Sequence, residues 1–425
     1  MFTVKTEVMM IENSSDEANK GEEIKQNMIE PKKIKKEAYY NYFIGFLSAI
    51  LVMITFNNIN KIIISYDADE VQSGKVQNKL NLIDKYLKEY YVDNVNNEKV
   101  EEGIYKGMLY GVGDPYTSYF TKNEIDKFTE QMSGQYAGIG VVVETDPETR
   151  LLTITTVFEG APGAKAGLLI GDKIIKVNEE DITLMPVESV IQRIKGKAGT
   201  KLMLSVLRET ESLDIELVRK LVEIPTVKYR VLKDNMGYIQ IVSFDQITIS
   251  QFDEALKSLK EKNIKSLIID VRNNPGGALE TVISIADTIL PKGLIMYTEE
   301  KSGQGRTYES DERSLNMPLA VLVNENSASA SEVLAGAIKA HKVGILVGTK
   351  TFGKGVVQKI FPLSDGSALK ITISKYFTPD KVCIQGIGIE PNYTVELPKE
   401  IKNKISLTDK EDVQLQKAIE LLKTK

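Results

Sequence analysis

Apolar positions change their spacing several times along the chain, and each change marks an element. Tyr39 through Phe56 reads YYNYFIGFLSAILVMITF, without a charged residue. That is about the minimum for a helix across hydrocarbon, roughly 20 residues. Apolar residues return at Ile62-Ile63-Ile64. Leu80, Ile83, Leu87 and Tyr90 then recur at helical spacing, as do Val100, Ile104 and Met108. Gly111-Val-Gly-Asp-Pro115 breaks the second helix. From Gly138 the period shortens. Gly138-Ile-Gly-Val-Val-Val143, Leu151–Val157, Gly171–Val177, Lys201–Leu207 and Leu213–Val218 read as strands, with a turn and short helix at Gly160–Gly167 and a helix at Val187–Ile194.

Proline and charge at Val222-Glu-Ile-Pro-Thr226 mark a boundary. Beyond it, apolar strands at Gly237–Val242, Ser266–Val271, Leu319–Val323 and Gly344–Gly348 alternate with helices through Phe252-Leu256-Leu259, Val282-Ile285-Ile289 and Val333-Leu334-Ala337. Such alternation predicts an α/β domain. The expected organisation is a flexible tail at 1–38, an apolar anchor region at 39–64, a spacer at 65–78 and a helical cap segment at 79–134. A small β unit follows at 135–219, then an α/β domain at 225–400 and a helical extension at 401–425 around Val413, Leu415, Ala418 and Leu421.

Composition narrows the function. At 425 residues the chain has room for two or three cores. A net charge of −5 gives no general argument for nucleic-acid binding, and none is expected. Cys383 is the only cysteine, so an intrachain disulfide is impossible and a thiol metal cluster is not expected. His341 is the only histidine. Lys32-Lys33-Ile34-Lys35-Lys36 ahead of the apolar run favours a cytoplasmic N-terminus and an external C-terminus. The expectation is a single-pass protein of the cell membrane with its later domains outside the cytoplasm. A buried helix and a cleaved signal peptide are the competing readings of the same run.

With one histidine, a Ser-Lys pair is the better source of a nucleophile and its base. Ser329 stands in Asn326-Ser-Ala-Ser-Ala-Ser-Glu332, past one strand and at the start of a helix. A serine needs a neighbouring base to attack a carbonyl. Lys354, in Thr351-Phe-Gly-Lys-Gly355, can be that base if burial keeps its amine neutral. Gln358 lies four residues on and shares a face with Lys354 if both are extended. Gly276 and Gly277 follow another core strand and let backbone approach a scissile carbonyl closely. The N–H of Gly276 or Gly277, opposite that of Ala330, is the candidate oxyanion hole. The sequence does not choose between the two glycines.

The order of elements and glycines at 135–219 resembles a PDZ domain, through Gly138-Ile-Gly140, Ala161-Pro-Gly-Ala-Lys-Ala-Gly167 and Gly171-Asp172. The resemblance implies an extended peptide tail bound along a strand, its carboxylate held on the backbone of Gly138, Ile139 and Gly140. More widely, residues 79–400 resemble carboxyl-terminal processing peptidases, the tail-specific serine proteases. The markers are Gly111-Val-Gly-Asp-Pro115, Arg272-Asn-Asn-Pro-Gly-Gly277, Asn324 to Glu332, Thr351 to Gln358, Ile371 to Asp380 and Gly386-Ile-Gly-Ile-Glu-Pro391. The resemblance implies Ser329 as nucleophile, Lys354 as general base and Gln358 as the residue orienting the lysine. It implies no metal or organic cofactor. Gly113 departs from the family's usual Leu-Asp-Pro pattern. The expected function is a membrane-anchored serine endopeptidase acting on flexible C-terminal tails of extracytoplasmic proteins, with an oligomeric or regulatory partner left unspecified. The alternative is a non-enzymatic peptide-binding scaffold; a lipid- or retinoid-binding use of the fold is a further one.

Overall fold

A computed structural model describes residues 73–402, 404 and 407–423. The chain divides into two compact units, one up to Asn96 and one from Asn97 onward. Within the first, helix α1 (Ser73–Tyr90) begins inside the expected spacer. It is polar along much of its length, with i,i+4 bonds from Lys88 to Asp84 and from Gln77 to Asn81.

One part of the expected architecture is corrected here. Among the described residues no helix is long and apolar enough to cross a membrane. The longest element near the N-terminus, α1, has 18 residues but carries Lys75, Lys79, Asp84, Lys85, Lys88 and Glu89, which hydrocarbon does not tolerate. The anchor expected over Tyr39–Phe56 and 62–64 lies outside the described residues. The single transmembrane anchor, the single-pass topology and the cell-membrane location with an external protease are therefore withdrawn.

In the second unit, helix α2 (Asn97–Tyr110), strand β1 (Ser118–Phe120) and helix α3 (Lys122–Ser133) come first. Thr121 and Glu124 close a capping box on α3, the Thr-x-x-Glu spacing that fixes a helix start. Gly134 ends α3 in a left-handed conformation, where an added Cβ would lie 2.3 Å from the Ile247 side chain.

The chain then enters the β unit through β2 (Gln135–Gly138) and leaves it through β9 (Lys220–Glu223), and these two strands pair with each other. Between them, β3 (Val141–Thr145), β4 (Leu152–Val157), β5 (Lys173–Val177), β7 (Lys201–Arg208) and β8 (Glu211–Val218) form one sheet in that order. The short β6 (Glu180–Asp181) pairs with β5. Helices α4 (Pro162–Lys165) and α5 (Val187–Ile194) complete the unit. Its core includes Ile139, Ile154, Ile174, Val190, Leu202 and Leu204. In this sheet β3 is an edge, paired only with β4.

The α/β domain holds a sheet ordered β10 (Val227–Leu232), β11 (Met236–Ile241), β12 (Ser266–Asp270), β15 (Leu319–Val323), β16 (Ile345–Gly348) and β19 (Tyr393–Thr394). All neighbours are parallel except β10 and β11. Strands β12 and β15 are buried throughout, as parallel strands covered on both faces must be. Leu267, Ile269, Val321 and Val323 face α6 (Thr248–Glu261), α7 (Leu279–Ile289) and α8 (Ala330–His341). Ile268, Ala320 and Leu322 face α10 (Val413–Lys423), through Leu415, Ala418 and Leu422; a short α9 (Lys399–Lys402) precedes it.

A second, antiparallel sheet runs β1, β18 (Ala368–Phe377), β13 (Gly293–Glu300) and β14 (Thr307–Ser310), with β17 (Val356–Pro362) also on β18. Because β1 precedes the β unit and joins β18, the β unit is inserted into the larger fold rather than simply placed ahead of it.

Candidate active site

Ser329 is the residue before α8, with φ 53° and ψ −113°. That conformation is uncommon for a residue bearing a side chain, and such backbone gathers at functional turns. The turn is held from several sides. The Tyr376 hydroxyl donates to the Ser329 carbonyl at 3.2 Å. Ser327 and Ser331 are fully buried, donating to the carbonyls of Val271 (2.8 Å) and Asn274 (2.9 Å). They stitch the serine run to the loop after β12, while Ser329 keeps partial access to solvent.

Glu332 joins the serine turn to the lysine loop, and the sequence reading missed it. Its carboxylate is wholly buried. It accepts from the Ser329 N–H (2.9 Å), the Thr351 hydroxyl (2.6 Å), the Gly353 N–H (2.7 Å) and the Lys354 N–H (2.8 Å). One buried charge thus fixes the backbone at both Ser329 and Lys354. The Ser-x-x-Glu spacing of 329–332 carries the signal, since it is that of a capping box.

Burial pushes the Lys354 amine down, and the nearby Lys370 charge adds to this; Asp114 and Glu332 oppose it. The direction suits a base. The ammonium position lies 4.6 Å from the centre of the Tyr116 ring. Tyr116 and Asp114 come from the turn after α2. Asp114 accepts from the Tyr116 N–H at 3.1 Å and the Thr117 hydroxyl at 2.6 Å. The Thr372 N–H donates to the Thr117 hydroxyl at 3.1 Å. Gly111-Val-Gly-Asp-Pro115 is therefore more than a helix breaker. It leads into Tyr116, whose ring faces the lysine amine, and its Asp114 charge acts on that amine.

Gln358 donates from Nε2 to the Thr372 hydroxyl at 3.2 Å. Lys354 and Gln358 do not share a strand face through even spacing. Lys354 precedes β17, and a bulge between Val357 and Gln358 shifts the strand's register. Tertiary placement still brings the two together. Ser329, Lys354, Gln358, Gly277 and Ala330 all line one cavity of about 640 Å³.

Gly276 packs against Ser329; an added Cβ would lie 2.8 Å from the Ser329 Cβ. Its N–H is already committed to Asn274 Oδ1 at 2.9 Å. Among the described residues no acceptor engages the N–H of Gly277 or of Ala330.

In the β unit, Gly138 ends β2, Ile139 is buried in the core and Gly140 turns with φ 77° into β3. Burial pushes the Tyr136 phenol up, and hydrogen bonding from the Gly140 and Val141 backbone offsets it.

An inserted peptide-binding β unit, and a serine and a lysine in one cleft of an α/β domain, define the class of serine peptidases that select substrates by their tails. The comparisons agree. Residues 235–395 match Peptidase family S41, 127–207 the PDZ domain, and 53–124 the activating protease CtpB N-terminal domain. The chain is 32% identical to a "Probable CtpA-like serine protease" of Staphylococcus aureus (strain MRSA252), over 86% of this chain and 74% of that one. It is 35% identical to the "Carboxy-terminal processing protease CtpA" of Bacillus subtilis (strain 168), over 75% and 69%. Among solved structures it is similar to the photosystem II D1 C-terminal processing protease, at 27% identity, 75% and 88% coverage and a TM-score of 0.45. The chain belongs to peptidase family S41, among its CtpA-like serine proteases with a PDZ domain. It is a serine-type endopeptidase, with peptides or protein tails as its partners.

Proposed function

We propose that this chain cleaves flexible polypeptides delivered by their C-terminal tails, using Ser329 as nucleophile and Lys354 as general base. The observation that carries the reading is the shared cavity, in which Ser329, Lys354, Gln358, Gly277 and Ala330 converge from the turn before α8, the loop before β17, β17 itself and the loop after β12. Neutral Lys354 takes the Ser329 proton as the hydroxyl attacks a peptide carbonyl. The N–H groups of Gly277 and Ala330 stabilise the oxyanion; the commitment of the Gly276 N–H to Asn274 favours Gly277 for this role. Protonated Lys354 then gives its proton to the leaving amine as the C–N bond breaks, and water hydrolyses the acyl-enzyme. Gln358 donates to Thr372, which leaves its Oε1 to accept from the lysine amine without adding a charge. Tail binding uses the open edge of β3, with the carboxylate on the backbone of Ile139 and Gly140 at the end of β2. The working divisions are 79–134 as cap, 135–219 as tail-binding unit, 225–400 as catalytic domain and 401–425 as C-terminal extension.

The test is turnover and trapping on unstructured peptides. Ser329→Ala should abolish turnover and leave tail binding intact. An active-site-directed acylating agent should label Ser329 in the wild type. Rapid turnover by Ser329→Ala, or label on Ser327 or Ser331, rejects the assignment.

A further inference from the structure

Lys370 is a second lysine of the catalytic cleft, and the mechanism above does not use it. It lies on β18, opposite Ser118 of β1 and Ile360 of β17. Thr372, two residues on, stands opposite Gln358. Lys370 and Lys354 line the same cavity. The Lys370 ammonium lies 5.1 Å from the centre of the Phe120 ring and 5.7 Å from that of Phe128, and these two rings stack on each other. Among the described residues Lys370 has no carboxylate within ion-pair distance and no hydrogen-bond partner. Aromatic faces hold its charge without neutralising it. A carboxylate partner would cancel the field this cation projects into the cleft.

We propose that Lys370 is a positioning residue for the Ser329–Lys354 reaction, a cation kept unneutralised on aromatic faces so that its charge favours the neutral amine at Lys354. This rests on the reading of Lys354 as general base. Two ammonium groups sharing a partly desolvated cleft repel, and the more deeply buried one gives up its proton first. Burial comes first in lowering the Lys354 amine and the Lys370 charge second. Lys370 is itself lowered by burial and supported by Asp114. The other groups facing Lys354 are Asp114 and Tyr116 from the turn after α2 and Glu332 from α8. Glu280, Glu300, Arg306 and Lys359 line the same cavity. Asp114 and Glu332 both favour the ammonium, so Lys370 is the charge that offsets them.

The experiment compares pH profiles of kcat/KM on one unstructured peptide for the wild type, Lys370→Met, Lys370→Gln and Lys370→Arg. Both neutral variants should shift the acid limb to higher pH. At pH 7 they should lose about threefold or more in kcat/KM, and the gap should close at alkaline pH, where Lys354 is neutral in every protein. Lys370→Arg should keep the wild-type limb. Using two neutral side chains guards against a packing defect peculiar to one of them. If the limb stays in place in both neutral variants, or if Arg fails to restore it, the inference is overturned; a uniform loss at every pH marks a merely structural role. Lys354→Ala separates this from the underlying reading. Wild-type turnover in that variant would reject Lys354 as the base, whatever Lys370 does.

Discussion

At the scale of single residues, two buried charges set the chemistry in opposite ways. Glu332 is wholly buried and satisfied by four donors, three of them backbone N–H groups of the serine and lysine turns. Glu332→Gln replaces one accepting oxygen by an NH2 group that only donates, so it must face donors that it cannot satisfy. The expected cost is about 2–4 kcal/mol of stability and about 100-fold in kcat from misplacement of Ser329 against Lys354. Thermal unfolding and steady-state rates check both, and an unchanged kcat would show that the clamp is irrelevant to catalysis. Lys354 is the reverse case, a cation lowered by burial and by Lys370. The unfolded lysine binds its proton up to about pH 10.4. Below the folded-state value the native protein therefore bears the full penalty of a partly buried ammonium. The penalty shrinks as pH rises through that value and is gone above the unfolded one. Lys354→Met should accordingly raise the melting temperature at pH 7 while abolishing turnover, with the gain fading toward alkaline pH. Lys354→Arg should stay inactive, because arginine does not release its proton. A lower melting temperature for the Met variant at pH 7 would argue against a costly ammonium.

At the scale of elements, the site is an assembly of turns that parallel strands deliver to one edge. The loop after β12 and the turn after β15 come together because those strands are neighbours in the sheet. Their contact is close enough to require Gly276. With φ 104°, an added Cβ would lie 2.8 Å from the Ser329 Cβ, 2.9 Å from the Ala328 carbonyl and 3.0 Å from the Ala330 nitrogen. Gly276→Ala should therefore push the Ser329 turn away. A fall of about 100-fold in kcat is expected, with little change in tail affinity, because the β unit is untouched. Rates measured beside tail binding would check it, and equal losses in both would point to general unfolding. The strand patterns themselves were readable, because β15 is an uninterrupted apolar run and β12 carries Leu267-Ile-Ile269 at its centre. The bulge in β17 was not, since nothing in Val356-Val-Gln-Lys-Ile360 marks the extra residue; partner strand β18 reveals it.

At the scale of the molecule, the chain enters and leaves the PDZ unit through one two-stranded ribbon. Gly138 and Lys220 are paired partners across β2 and β9. A two-residue Asn-Gly turn joining Gly138 to Lys220 should close that ribbon as a hairpin and leave the larger domain folded. Such a protein should still cleave short accessible peptides but lose any preference for a free over an amidated C-terminus. Cleavage assays with both peptides would test it, and a retained preference would remove tail recognition from this unit.

The sequence by itself determined the domain order, the α/β class of the catalytic part, the peptidase family and the residues that propose themselves as nucleophile and base. All of these are written in local signals: apolar period, glycine turns and short motifs. The apolar run at 39–56 was just as legible, yet among the described residues no helix is long and apolar enough to cross a membrane, and the anchored architecture drawn from that run is not kept. Tertiary structure alone decided which glycine N–H stays uncommitted, that Glu332 ties the Ser329 and Lys354 turns together, and that Tyr116, Asp114 and Lys370 act on the lysine. Asp114 and Lys354 stand more than two hundred residues apart in the sequence. Their meeting depends on β1 pairing with β18 across the inserted unit, a long-range contact that no local pattern encodes.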